Sequence, residues 1–426
     1  MSVEELKKDA AAAIDAMRPE LLELSHAIHQ EPELALEEFN AAARLSDAVA
    51  RHGLPVQREA FGLKTAYAAE FGKERMPVIA ILSEYDALPG VGHACGHNII
   101  ATAGLGAALA LAKLGAKLPG RVRYLGTPAE ERFGGKEMMA REGAFEGVDA
   151  AMMVHPANLD LVSMPSIAIS EVDVTYFGRA AHASAMPWRG LNALDAVVTA
   201  YQSIAQLRQH IRQTERIHGI ITEGGLAANI VPERAGCRFY VRAADMHDLA
   251  ALKIRVQSCF EAAALATGCR IKTYWGNSDY TDLKVNWPMA EAYARNIQAL
   301  GRELTPLPNI PTGFTGSTDM GNVSHRVPSI HPMLAVAPDG VIIHNAEFAR
   351  WAASERGDAA VIDGAKSLAQ TALDLMCDTV LLDRTRADFA ATAELSKSAL
   401  ARLKEKVPQS VAAVHHHHGH SGCGCA

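Results

Sequence analysis

An α/β fold is what this sequence predicts: a largely parallel sheet with helices on both faces, interrupted by a smaller α+β insert. Three observations carry that expectation. Short apolar runs alternate with helical segments at both ends of the 426-residue chain. Reactive side chains follow directly after those runs, where open parallel sheets gather their functional groups. Between about Ser166 and Leu283 the texture changes to the polar/apolar alternation of half-buried antiparallel strands.

Taken in order, the segment up to about Val49 has apolar residues at helical spacing. Residues 77–82 (PVIAIL) form a strand ending in Ser83-Glu84-Tyr85-Asp86. Residues 122–125 run into Gly126-Thr127-Pro128-Ala129-Glu130-Glu131, and residues 150–154 end at His155. Helices are expected between them at 99–114 and 135–142. In the insert, a strand at 171–176 precedes a helix carrying Leu191, Leu194, Val198, Tyr201, Ala205 and Ile211 near the 3.6 period. Strands at 217–222 and 236–241, a helix at 249–266 and a strand at 270–275 complete a β-α-β-β-α-β, ferredoxin-like order. The α/β pattern resumes with a helix from Met289, a strand at 333–336 and a helix at 359–374. The expected domains are a discontinuous catalytic domain, 1–165 with 284–400, a lid or dimerisation domain, 166–283, and a flexible tail, 401–426.

Composition narrows the function. Lys and Arg total 41 against 48 for Asp and Glu, net −7, so the basic footprint of a nucleic-acid binder is missing. The longest run of apolar and small residues, 99–112, is too short for the ~20 residues of a membrane span. The first residues, MSVEELKKD, lack the basic start and unbroken apolar stretch of a signal peptide. Seven cysteines, mostly scattered singly, are not a disulfide framework and suit a reducing compartment. A cytoplasmic protein is expected, with no membrane or nucleic-acid partner.

Four strand ends offer metal ligands. Cys95 and His97 stand two apart in His93-Ala94-Cys95-Gly96-His97, and thiolate and imidazole are ligands that zinc and similar ions take. Glu130-Glu131 is the kind of pair in which one carboxylate binds metal and its neighbour acts as general base. His155 follows the third run and His344 lies in the loop after the 333–336 strand. Five ligand-type side chains exceed the needs of one tetrahedral ion and point to two divalent metals.

These residues, with Ser-Glu-Tyr-Asp-Ala-Leu-Pro (83–89), Gly-His-Ala-Cys-Gly-His-Asn (92–98), Val-His-Pro (154–156), Ala-His-Ala-Ser-Ala-Met-Pro (181–187), Ala-Asn-Ile-Val-Pro (228–232) and Gly-Ser-Thr-Asp (316–319), carry a resemblance. From about Leu21 to Leu375 the chain resembles the aminoacylase/carboxypeptidase family of two-metal hydrolases, in its amidohydrolase branch. The resemblance implies Cys95, His97, Glu131, His155 and His344 as metal ligands, with zinc or manganese as the ions. It implies Glu130 as the catalytic base, acting on a water shared by the metals, and Asp86 as the aspartate that orients a ligand imidazole. His182 is expected to reach a neighbouring subunit's active site in a homodimer and stabilise the oxyanion. Asn229 and Arg242 are expected to contact substrate, with Arg238 a rival for the second role. Gly316–Asp319 is expected on the substrate side, giving Ser317 and Asp319 as contacts.

Two departures point to a sub-branch. Asn98 stands where most of the branch has Asp, and Glu84-Tyr85-Asp86 replaces Asp-Met-Asp. Both resemble the dipeptidase and aminobenzoyl-glutamate side of the branch. The expected substrate is a dipeptide or N-acyl amino acid, with an aminobenzoyl-glutamate-type hydrolase as the alternative. A rival of another class is metal storage through the tail, which holds His415 to His418, His420, Cys423 and Cys425.

Overall fold

The computed structural model describes residues 1–74, 77–306, 315–405 and 407. The histidine- and cysteine-bearing end of the tail lies outside the described residues. The chain divides into two compact units, Met1–Ala168 with Asn277–Leu403, and a second built on Ile169–Gly276.

The first unit holds a six-stranded sheet. Its strands are β1 (Gln57–Arg58), β2 (Tyr67–Gly72), β3 (Val78–Ser83), β4 (Arg121–Gly126), β5 (Ala150–Met152) and β11 (Ser329–Ile330). They lie side by side in the order β1-β2-β4-β3-β5-β11. β4, β3, β5 and β11 run parallel, while β1 and β2 are antiparallel additions at one edge. Strand β3 explains the architecture at residue level. Ile79 and Ile81 belong to one buried cluster and Ala80 and Leu82 to another, so the strand is apolar on both faces and reads as a continuous run. β2 carries Glu70 and ends at Gly72, which hides it from an apolar-run reading. The expected strand at 333–336 forms as β12 (Met333–Ala335), but it pairs in parallel with β6 (His155–Ala157) in a separate two-stranded sheet.

One sheet face is covered by the helices Val3–Gln30, His97–Lys113 and Glu355–Cys377, which also pack on one another. His97–Lys113 is buried at every position from His97 to Leu111, as its all-round Ala, Gly, Leu and Ile composition requires. Gly104 is where it meets β3: a Cβ there would lie 2.3 Å from Ser83 Oγ and 2.8 Å from the Leu82 carbonyl oxygen. Gly104→Ala is therefore expected to destabilise the protein by about 1–3 kcal/mol, seen as a lowered urea midpoint.

The second unit is a four-stranded antiparallel sheet with the helices Ala193–Leu207 and Met246–Thr267 packed together. Its strands are β7 (Ala168–Phe177), β8 (Arg216–Glu223), β9 (Arg234–Ala243) and β10 (Arg270–Trp275), in the order β10-β7-β9-β8. β7 alternates buried and half-buried along its length, the pattern of a sheet with one face packed. The first helix turns a different face inward from the one expected. Ala193, Ala196, Val197, Ala200 and Ile204 are buried, whereas Val198 is 45% exposed. Small alanines let the helix lie close to its neighbours, and a reading weighted to large side chains picks the adjacent stripe. Among the described residues, no helix is long and apolar enough to cross a membrane.

Candidate metal centre

The carboxyl ends of the parallel strands deliver the site. β3 ends at Ser83 and hands over Glu84 and Asp86; β4 ends at Gly126, four residues before Glu130. β5 leads into β6, whose first residue is His155, and the chain beyond β12 carries His344. Cys95 precedes the helix that starts at His97. The turn between them needs Gly96, which has φ +76°, and a Cβ there would sit 2.4 Å from Pro156 Cγ.

All five expected ligands converge. Cys95 Sγ lies 3.4 Å from His155 Nε2 and 3.5 Å from His344 Nε2. The Glu131 carboxylate reaches His97 Nε2 at 3.7 Å with one oxygen and His344 Nε2 at 3.7 Å with the other. Donor atoms of Cys95, His97 and His155 lie within 4.8 Å of one another, and so do those of Cys95, Glu131 and His344. A third group of the same span joins Glu84, His97 and Glu130. The mixed S, N and O donor set suits a divalent transition metal. Glu131 Oε1 and His97 Nε2 are buried with no hydrogen-bond partner, a cost that a bound cation removes. The residues fit a metal centre.

Asp86 braces it. One carboxylate oxygen meets His97 Nδ1 at 3.1 Å and the other accepts the Glu131 backbone N–H at 2.9 Å. Burial opposes the charge on Asp86, but these partners outweigh it and hold its pKa below the ordinary carboxylate value. Because this bond leaves Nε2 of His97 for a metal, Asp86→Asn is expected to weaken metal affinity about 10–100-fold in a chelator competition.

Electrostatics divides the other groups. Burial, with the carboxylates of Glu84 and Glu131 beside it, raises the pKa of Glu130, and burial raises that of Glu131 to about 7. Burial lowers His155 to about 4 and so favours the neutral imidazole that coordinates metals. His155 Nδ1 meets the Pro156 carbonyl oxygen at 2.7 Å, a donor bond that leaves Nε2 on the side of Cys95.

Three supports are invisible in the sequence. Glu38, fully buried, accepts the Ala129 N–H at 2.8 Å and the Thr65 hydroxyl at 3.0 Å. Ala129 has φ +62°, so Glu38 holds the strained turn that presents Glu130. Tyr280 donates its hydroxyl to the Glu130 carbonyl oxygen at 2.5 Å. Lys136, fully buried, pairs with Glu84 and Asp319. These partners are 91, 150 and 183 residues apart for Glu38–Ala129, Tyr280–Glu130 and Lys136–Asp319, and no local motif announces them. Burial, with Asp86 adding repulsion, raises Glu38 to about 7 against 4.5. The native state thus binds an extra proton between those values, and its stability falls as pH rises through that window. Glu38→Gln is expected to flatten the change in urea midpoint between about pH 5 and pH 8 in metal-stripped protein.

Of the remaining expected residues, Asp319 adjoins the donor cluster, through Lys136 and Glu84. Asp319 is buried against Lys136, and Ser317 donates to the Ile167 carbonyl oxygen at 2.8 Å. His182 and Asn229 belong to the second unit, both exposed, joined by the Ala183 N–H donating to the Asn229 carbonyl oxygen at 3.0 Å. Arg242 is half-buried on β9, opposite Arg216. Its rival Arg238 makes a two-point pair with Asp173 at 2.7 and 2.9 Å, which commits it to its own sheet. Asn98 lies off the donor cluster: its amide donates to Ser25 Oγ at 2.9 Å and to the Ala352 carbonyl oxygen at 3.1 Å, tying three helical segments together.

The chain as a whole is similar to known hydrolases. The chain is 41% identical to a Xaa-Arg dipeptidase of Mus musculus, over 91% of this chain and 93% of that protein. It is 30% identical to one of the p-aminobenzoyl-glutamate hydrolase polypeptides of Escherichia coli, over 87% of this chain and 92% of that protein. Among solved structures, the YXEP protein of Bacillus subtilis, described as a dinuclear metal binding peptidase from the M20 family, shares the fold with a TM-score of 0.61. That match has 20% identity and covers 85% of this chain and 99% of the other. The family model described as peptidase family M20/M25/M40 matches residues 80–374, from inside β3 to near the end of the last core helix, and the chain belongs to that family.

Proposed function

We propose that this chain, a metal-dependent amidohydrolase, is a two-metal dipeptidase that releases a C-terminal arginine or a related basic amino acid. The observation that carries the reading is the convergence of five donors from four strand ends beside a buried carboxylate, Glu130. The mouse relative's name supports arginine as the leaving residue, and the Escherichia coli relative's name keeps aminobenzoyl-glutamate as the second reading. Cys95, His97, Glu131, His155 and His344 would hold the ions, zinc or manganese by their donor chemistry. When bound, such ions polarise the scissile carbonyl and acidify water.

The protein's own groups do the rest. Glu130, whose burial raises its proton affinity, takes a proton from the attacking water on its carboxylate and passes it to the leaving amine. Asp86 fixes the His97 ring, and Glu38 with Tyr280 fixes the backbone around Glu130. His182 and Asn229 are proposed to steady the oxyanion and Arg242 the substrate carboxylate, in a cytoplasmic homodimer whose second unit acts as the lid. Ser317 is proposed to border the substrate, whereas Asp319, fully buried with both carboxylate oxygens on Lys136, is proposed to hold that lysine instead.

The experiment is a mass-spectrometric cleavage assay on metal-reconstituted protein. Its substrates are Xaa-Arg, Xaa-Lys and Xaa-Glu dipeptides, N-acyl amino acids and aminobenzoyl-glutamate, each with a chelator control. Chelator-sensitive release of arginine is the expected result; preference for aminobenzoyl-glutamate would move the chain to the second reading. Truncation after Val414 is expected to leave hydrolysis intact, and loss of bound metal with the tail would favour storage.

A further inference from the structure

Lys136 has no solvent exposure, a position an ammonium occupies only with close anionic partners. Its Nζ donates to Glu84 Oε2 at 2.5 Å and to Asp319 Oδ1 at 2.7 Å. Its backbone N–H donates to Asp319 Oδ2 at 2.8 Å, so Asp319 grips the lysine at both ends. Only one oxygen of Glu84 is used by this arrangement. The other, Oε1, is buried, has no hydrogen-bond partner and lies 3.3 Å from His97 Nε2, which also has none.

His97 presents its other nitrogen, Nδ1, to Asp86. Its Nε2 and Glu84 Oε1 thus lie together in the same small buried volume, with a carboxylate oxygen of Glu130, the proposed base, within 4.8 Å of both. A proton on Nε2 would let the two pair as ions at 3.3 Å; with Nε2 as a free lone pair, as metal binding requires, only a cation satisfies both. We infer that Glu84 is a further protein donor to the metal centre, through Oε1, and that Lys136 is the positioning residue that fixes it there. The inference rests on the two-metal reading and goes beyond its five ligands. By taking Oε2, the lysine stops the carboxylate from rotating and leaves a single oxygen facing His97. It also supplies a permanent positive charge among the buried carboxylates of Glu84, Glu130 and Asp319.

The test is metal stoichiometry and chelator-competition affinity, with zinc and manganese taken separately, on the full chain and on Glu84→Gln, Lys136→Met and the double variant. Wild type is expected to hold two ions. Glu84→Gln, close in shape but uncharged, is expected to bind one of them at least about tenfold more weakly while the other is unchanged. Lys136→Met is expected to weaken the same ion by a similar factor, and the double variant to be no weaker than the poorer single one, because both act through one oxygen. Wild-type affinity for both ions in Glu84→Gln overturns the donor role. Additive losses in the double variant overturn the positioning role. Two ions in wild type with an unaffected Glu84→Gln sinks this inference alone; no ions in wild type sinks the two-metal reading with it. Should Lys136→Met fail to fold, Lys136→Gln replaces it, and the Glu84→Gln comparison decides the donor role regardless.

Discussion

Glu130→Gln is expected to keep its metal ions and lose at least about a hundredfold in kcat. The amide fills the same volume and still accepts a hydrogen bond, so the fold around it has little reason to change. The backbone holding it is anchored independently of the side chain: Glu38 accepts the Ala129 N–H, and Tyr280 donates to the Glu130 carbonyl oxygen. In the proposed role, what the substitution removes is the ability to carry a proton between water and the departing amine. The two readouts must therefore separate, with metal content unchanged and turnover collapsed. Near-normal turnover would remove Glu130 from the base role, and loss of metal would make it a ligand instead.

Stripping the metal ions is expected to abolish hydrolysis and to lower Tm by roughly ten degrees at saturating metal. The size follows from linkage, since an ion present at about a thousand times its Kd stabilises the native state by about 4 kcal/mol. The direction follows from the buried charges. Glu84, Asp86, Glu130 and Asp319 are buried close together with Lys136, His97 and His155, and removing cations leaves that carboxylate excess uncompensated. Calorimetry before and after chelation, then after adding the metal back, checks it. A Tm unmoved by chelation, with metal loss verified, would show that the donors are not energetically coupled to the fold.

Much of this is legible in the sequence, and the reasons differ by element. β3, β4 and β5 show as apolar runs because both their faces are buried, and their ends carry reactive residues as open parallel sheets dictate. The five donors can be named because ligand-type side chains follow four separate strands together, and because the motifs around them carry the family resemblance. Lys136, Glu38 and Tyr280 cannot. Each acts through a partner far along the chain, and a lone Lys, Glu or Tyr reads as surface until the fold buries it. The split of β12 from the main sheet is equally hidden, because strand pairing is a long-range choice that local pattern does not encode. The buried face of the helix Ala193–Leu207 escapes a sequence reading because alanine contributes little to an apolar count yet permits the closest approach.

The interruption of the first unit by Ile169–Gly276 has a consequence for synthesis on the ribosome. The helix Glu355–Cys377 packs on His97–Lys113 and Val3–Gln30, and Asn98 waits for the carbonyl of Ala352. Until those late residues emerge, the first 168 residues present a half-covered apolar sheet. The intervening unit is contiguous and has its own buried interior around Val174, Phe239 and Phe260, so it is positioned to finish first. At ordinary elongation rates the early half then stays open for roughly ten seconds or more after the second unit is complete. Exposed apolar surface of this kind is what holdase chaperones cover, so slower translation across the last third of the message is expected to lower the yield of folded protein.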